Sequence, residues 1–282
     1  MIQSLGLGRF PQGTESGPAP QLVSELAERS KRTLDLEQIP VEEVAVGPLS
    51  RIVFHTDPNG LAADRFRYLR LRIRELSKVT KLKSLLVTSP LPQDGKSTVA
   101  LNLATALSER GDNAVLLLEA DLHHPVLGER LGLRPGPGLA ECLTSGQDPF
   151  SVLRRVVSLG LYILPGGEPL ENASDSLHGD TFAGVMQALL PHFKWIVMDS
   201  PPVTPLADAL ALARHADASL LVVRAGQTPV ETVDAAIEAL GAKHVQAVVL
   251  NGVEGLARRY AKYSKYYRSY AGGSDHTGKT AP

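Results

Sequence analysis

Lys96 lies in Ser89-Pro90-Leu91-Pro92-Gln93-Asp94-Gly95-Lys96-Ser97-Thr98, between a short apolar run over 84–87 and a stretch with helical patterning. A turn that joins a strand to a helix aims several backbone N–H groups at one point, and the helix N-terminus adds partial positive charge. In such a turn the lysine ammonium can reach the β- and γ-phosphates of a nucleotide, and the hydroxyl after it can ligate Mg²⁺. The strict spacing G-x-x-x-x-G-K-[ST] is not met, because Pro90 stands where the first glycine belongs. Gly95-Lys96-Ser97 alone is a short match that a surface loop could carry, so its weight comes from its setting.

Two acidic strand ends supply that setting. Leu116-Leu117-Leu118-Glu119-Ala120-Asp121 and Trp195-Ile196-Val197-Met198-Asp199 each run from apolar to acidic. A lone carboxylate at a strand end is more often a helix cap or a turn residue. Beside a phosphate loop it orders Mg²⁺ or its waters. Mg²⁺ takes oxygen ligands in an octahedron and keeps several waters. Ser97, Asp121 and Asp199, with phosphate oxygens, are the expected set.

A second concentration of chemistry lies near the end of the chain. Tyr260, Tyr263, Tyr266, Tyr267 and Tyr270 are five of the seven tyrosines, interleaved with Lys262, Lys265 and Arg268. One reading is an amphipathic helix that lies on an anionic membrane or a partner, or stacks on single-stranded nucleic acid. The other is a run of phosphate acceptors on a mobile tail.

The elements that must position these residues read as strand–helix alternation. Strands are expected over 83–88, 114–119, 161–164, 194–199, 218–223 and 245–250, and helices over 96–110, 181–191, 205–214 and 229–241. Continuous apolar strands such as Ala114-Val115-Leu116-Leu117-Leu118 suit a sheet buried on both faces. This gives an α/β fold with a mostly parallel sheet flanked by helices, and ligands at the C-terminal strand ends. Residues 61–78 carry a helix pattern that places Asp64, Arg67 and Arg70 along one face. Such a charge run is either a solvated face or a charged contact between subunits. Residues 1–50, with one helical patch over 21–33, read as a flexible arm. Residues 51–255 read as the main domain and 256–282 as the tyrosine-rich tail.

Bulk properties narrow the class further. The 282 residues carry a net charge of −1, which gives no global pull toward nucleic acid or membrane. The one cysteine, Cys142, cannot form an internal disulfide, which suits a reducing cytoplasm. Neither a signal peptide nor a membrane span is expected.

Taken together and in this order, five segments resemble the bacterial protein-tyrosine kinases of capsule and exopolysaccharide synthesis (BY-kinases). Asp64-x-x-Arg67-x-x-Arg70 resembles that family's oligomerisation motif, where the acid is usually Glu. Ser89 to Thr98 resembles its P-loop, which also lacks the first glycine. Glu119-Ala120-Asp121-Leu122-His123 resembles its extra acidic motif, usually Asp-x-Asp-x-Arg. Asp199-Ser200-Pro201-Pro202 resembles its Walker B segment, and the tyrosine cluster resembles its autophosphorylated tail.

The resemblance implies the P-loop fold of the septum-positioning and plasmid-partition ATPases. It implies a stand-alone tyrosine autokinase, using ATP and Mg²⁺, that regulates polysaccharide polymerisation or export. Its expected ATP-binding residues are Ser89, Gln93, Asp94, Gly95, Lys96, Ser97, Thr98 and, by analogy with related ATPases, Asn251 near the adenine. Lys96, Glu119, Asp121 and Asp199 are the expected catalytic set. Glu119 is the expected acceptor of the tyrosine proton. Expected partners are further copies of the chain in a ring, a membrane polysaccharide co-polymerase that activates it, and a tyrosine phosphatase, but no nucleic acid. The expected location is cytoplasmic, at the inner membrane through that partner.

Two departures stand out: Glu119 replaces Asp, and His123 replaces Arg. Glu keeps the acid but moves its oxygens by roughly one methylene, and a misplacement of about 1 Å can cost around 10²-fold. Two rival readings therefore remain at this stage. One is a partition-type ATPase switch that binds a surface through its basic tail. The other is a non-catalytic nucleotide-binding scaffold.

Overall fold

The apolar runs do become strands. The structure, a computed structural model, describes residues 35–44, 47, 51–109, 114–204 and 207–254. The helical patch over 21–33 and the five tail tyrosines lie outside the described residues. The strands are β1 (Val41–Glu42), β2 (Ser84–Thr88), β3 (Val115–Glu119), β4 (Arg154–Val156), β5 (Leu161–Leu164), β6 (Trp195–Asp199), β7 (Ala218–Arg224) and β8 (Val245–Asn251). They form one eight-stranded sheet in the order β1-β4-β5-β3-β6-β2-β7-β8. Every neighbouring pair is parallel except β4 with β5.

Both faces of the sheet are covered. On β3, Leu116 and Leu118 join one apolar cluster, while Val115 and Leu117 join the cluster on the opposite face. That alternation is why the strand is apolar at every position rather than at every second one. The helix Lys96–Ser108 is buried along nearly its whole length. It lies between the sheet and the helix Leu61–Thr80, so its sequence is apolar on all sides.

The expected arm over 1–50 needs correction in its described part. Val41 and Glu42 pair with β4, and Ile39 and Val44 are buried. A two-residue strand is too short to show any periodicity, so the sequence carried no sign of it. The helix expected over 205–214 is shorter, running Asp208–Ala213, and the one expected over 96–110 ends at Ser108.

Strand order sets the position of the chemistry. The chain passes from β2 to β3 across β6, which pairs with both. Asp199 at the end of β6 is in register with Glu119 of β3 and Val87 of β2. The loops after β2, β3 and β6 therefore open side by side at the C-terminal edge, where open α/β sheets bind ligands.

Candidate nucleotide and phosphoryl-transfer site

The loop after β2 is held by its own side chains. Asp94 accepts from the Leu91 amide at 3.1 Å and from the Thr228 hydroxyl at 2.7 Å. The Ser89 hydroxyl donates to the Leu91 carbonyl at 2.7 Å. Asn251 donates to the Asp94 carbonyl at 2.9 Å. Ser89, Asp94 and Asn251, expected as nucleotide contacts, are thus braces of the loop in this structure. Gln93 is exposed and holds φ +66.

Gly95 holds φ +98, and a Cβ there would collide with the Asn251 side-chain nitrogen. Only glycine fits such a turn without strain. The first amide of the following helix to find a backbone acceptor is that of Val99, on the Gly95 carbonyl at 3.0 Å. The amides of Lys96, Ser97 and Thr98 precede it and form an anion cradle.

Across the cradle, the Lys96 ammonium donates to Asp121 Oδ2 at 2.7 Å and lies 3.5 Å from the Ser97 hydroxyl. Burial alone would lower the lysine's pKa, but Asp199 and Asp121 outweigh it and hold the value above the usual lysine range. Asp199 is fully buried, and neither carboxylate oxygen has a hydrogen-bond partner. Burial pushes its pKa up to about 7, against the pull of Lys96 and the nearby Ser97 hydroxyl.

A buried carboxylate with two unpartnered oxygens is rare in a folded protein and suits a site that takes a cation or water. Among the described residues, no group of three His, Cys, Asp or Glu could cage a metal. Mg²⁺ does not need one, since it binds through one or two carboxylates plus substrate phosphates and waters. Ser97, Asp121 and Asp199 fit that pattern.

Glu119 departs from expectation. Its Oε1 accepts from the amides of Val126 and Leu127 at 2.5 Å each, and its Oε2 from the Gly166 amide at 2.9 Å. The residue is 1% exposed. Its carboxylate therefore caps the short helix Leu127–Leu131 and ties it to the loop after β5. Both of its oxygens are engaged by backbone amides. The extra methylene that separates Glu from Asp is what spans the gap to those amides. His123 is drawn away likewise: its Nε2 lies 2.9 Å from Asp208 Oδ2, and the Ser174 hydroxyl donates to the other oxygen of Asp208.

On the helix Leu61–Thr80, Arg67 meets Asp64 at 3.1 Å and Glu109 at 2.9 Å. Arg70 also pairs with Glu109 and donates to the Ala106 carbonyl at 2.9 Å. Arg67 further stacks over Phe54, 5.3 Å from its ring centre. Glu109, which ties this helix to the end of Lys96–Ser108, was not singled out from sequence. A single acid beyond a helix end carries no spacing signal.

No family model matches the chain. Individual proteins do. Over 227 residues it is 28% identical to tyrosine-protein kinase YwqD of Bacillus subtilis (strain 168), covering 80% of this chain and 92% of that one. The kinase domain of the Escherichia coli tyrosine kinase ETK superposes with a TM-score of 0.68 at 25% identity, over 73% of this chain and 81% of that one. The chain is thus similar to bacterial tyrosine-protein kinases in both sequence and fold.

Some members of this family are much longer. Tyrosine-protein kinase ptk of Acinetobacter johnsonii is 26% identical over 76% of this chain but only 30% of its own length. The fold reaches beyond the kinases: the cell division ATPase MinD of Pyrococcus furiosus has a TM-score of 0.51 at 23% identity, over 60% of this chain and 71% of that one. Among the described residues no helix is long and apolar enough to cross a membrane.

Proposed function

We propose that this chain is an ATP-dependent protein-tyrosine kinase that phosphorylates its own cluster Tyr260, Tyr263, Tyr266, Tyr267 and Tyr270 and thereby regulates polysaccharide polymerisation or export. The observation that carries the reading is the Lys96–Asp121 pair beside the partnerless Asp199, at one edge of the sheet.

In this reading the amides of Lys96, Ser97 and Thr98 hold the phosphates, and Lys96 leaves Asp121 for the transferring group. Ser97, Asp121 and Asp199 hold Mg²⁺, which supplies charge neutralisation when bound. The acceptor phenol has an ordinary pKa of about 10 and needs a proton acceptor. With Glu119 occupied by backbone amides, Asp121 is the carboxylate left to take that proton, on the oxygen that does not hold the metal, once Lys96 has moved. Further copies of the chain are the natural source of the tail, which makes a ring-like homo-oligomer, with Asp64, Arg67 and Arg70 at its contacts, the fitting assembly. A membrane polysaccharide co-polymerase as activator and a tyrosine phosphatase as opponent complete the proposal.

Incubating the purified protein with Mg-ATP and mapping phosphate by mass spectrometry tests it. Phosphate on the five tail tyrosines, absent in Lys96→Met, is the expected result. ATP hydrolysis without phosphotyrosine would instead mark a partition-type switch. Nucleotide binding without either activity would mark a scaffold.

A further inference from the structure

The short helix Leu127–Leu131 presents a cation to the nucleotide cradle. Arg130 Nη1 donates to the Thr98 hydroxyl at 3.1 Å. Thr98 is the third residue of the helix Lys96–Ser108, so its amide belongs to the cradle. Arg130 is also near enough to Lys96 to oppose that lysine's positive charge. Asp121 neutralises Lys96, but among the described residues no carboxylate pairs with Arg130. A guanidinium has five N–H donors in a planar fork, and the Thr98 hydroxyl uses one of them. Two cations and a row of amides line the cradle, and the carboxylates beside them, Asp121 and Asp199, are those proposed for the metal, which leaves the cations for phosphate oxygens.

The arginine is also held in place in advance. Leu127 and Leu131 are buried in the core cluster that contains Val99 and Leu103 of the neighbouring helix. One helical turn apart, they fix the rotation of the segment and set Arg130 on its flank. Glu119 fixes the start of the same helix through the Val126 and Leu127 amides. At the other end Gly132 takes φ +66 and its amide returns to the Glu129 carbonyl. A helix of one turn does not hold itself in water; here both ends and the buried face are anchored.

We infer that Arg130 is a phosphate-binding residue of the nucleotide site, kept in position by Glu119 through the helix Leu127–Leu131. The inference rests on the nucleotide-site part of the proposed function and not on the identity of the phosphate acceptor. A bound di- or triphosphate takes one or more of the free guanidinium donors, and Arg130 supplies the second positive charge that Lys96 alone does not. Arg is suited to this by its fork, which matches phosphate oxygens in a way that a lysine ammonium does not.

The test compares Mg-ADP and Mg-ATP affinities, by calorimetry on the full unphosphorylated chain, for wild type, Arg130→Gln, Arg130→Lys and Arg130→Ala. Glutamine keeps a donor for Thr98 but removes the charge. Arg130→Gln is expected to weaken both nucleotides by roughly tenfold to a hundredfold, with Arg130→Lys between it and wild type. Thermal melting of the free proteins separates folding from binding. Affinities of Arg130→Gln within twofold of wild type would overturn the inference, as would weakening matched by an equal loss in Arg130→Lys together with a large fall in melting temperature. Binding needs no transfer to tyrosine. If the wild type fails to phosphorylate its tail while Arg130→Gln still weakens nucleotide, the kinase reading fails and the role of Arg130 stands.

Discussion

The ammonium of Lys96 and the carboxylate of Asp121 meet at 2.7 Å, with side-chain exposures of 14% and 6%. Neither group is idle in the free protein. The cation proposed to hold phosphate rests on a carboxylate proposed to serve the metal, while both oxygens of Asp199 beside them lack a hydrogen-bond partner. Filling the site therefore exchanges one ion pair for several, and the stored imbalance is carried by Asp199.

Lys96→Met should abolish tail phosphorylation and weaken Mg-ATP beyond detection in the micromolar range. Removing one preorganised charge from a phosphoryl-transfer site costs on the order of 10²–10³ in rate. The variant should also melt at a lower temperature, because breaking one partner out of a buried pair costs about 3 kcal/mol. Melting in metal-free buffer and phosphate mapping are the two measurements. Undiminished phosphorylation would remove the phosphate loop from the mechanism.

Asp199 makes a pH prediction with a definite sign. Its pKa in the folded protein is about 7, well above an ordinary aspartate. Between about pH 4 and 7 the folded state then holds a proton that the unfolded state has released. Stability from this group falls as pH rises through that window, by up to about 1.4 kcal/mol per pH unit, and levels off above it. Asp199→Asn should flatten the trend and raise the melting temperature at pH 8 without metal, while abolishing phosphorylation. Parallel melting curves for the two proteins from pH 5 to 8 would refute the buried-charge account.

How much of this was legible without the fold depends on the residue. Apolar runs ending in Asp121 and Asp199 announced buried parallel strands, because such strands cannot alternate. The helix Leu61–Thr80 was visible because its apolar residues recur at helical spacing over five turns. The short strands Val41–Glu42 and Arg154–Val156 were not, having too few residues to show a period. Neither were Glu109 and Arg130, whose meaning comes from partners 42 and 32 residues away. Glu119 stands out in the sequence as a glutamate where the family it resembles usually has Asp. Its use as a cap could not be read, since the amides it accepts from belong to loops whose conformation only the fold decides.

Arg67→Ala combined with Arg70→Ala should reduce both the mass of the oligomer and the melting temperature. Within the chain the two arginines clamp Glu109, and their hydrogen bonds, working against burial, hold its pKa below the usual glutamate range. A carboxylate lowered in this way stabilises the fold above its unfolded pKa and loses that contribution as pH falls through the folded value. These pairs are partly exposed, so the loss should be about 1 kcal/mol per pair. Glu109→Ala should reproduce the melting change while leaving the mass intact. Asp64, with 65% of its side chain exposed, stays available to a neighbour. Light scattering after size exclusion decides the matter: an unchanged mass for the arginine variant would confine the motif to the intramolecular clamp.

Glu119→Gln separates a cap from a base. Burial raises the Glu119 pKa, and the Leu127, Gly166 and Val126 amides act against that rise. Those amides need an acceptor at each oxygen. Glutamine offers one oxygen and turns its NH₂ toward an amide donor, so at least one buried N–H loses its partner, at about 1–3 kcal/mol. Glu119→Gln should therefore melt lower and exchange the Val126, Leu127 or Gly166 amide hydrogens faster. Glu119→Asp should show the same faults, because the shorter side chain no longer reaches both loops. Neither should shift the acidic limb of the autophosphorylation pH profile, whereas Asp121→Asn should lower the rate by at least about 10². If instead Glu119→Gln keeps its melting temperature and amide protection yet loses the acidic limb, then Glu119 is the proton acceptor, and the hydrogen bonds to Val126, Leu127 and Gly166 must open when the tyrosine arrives.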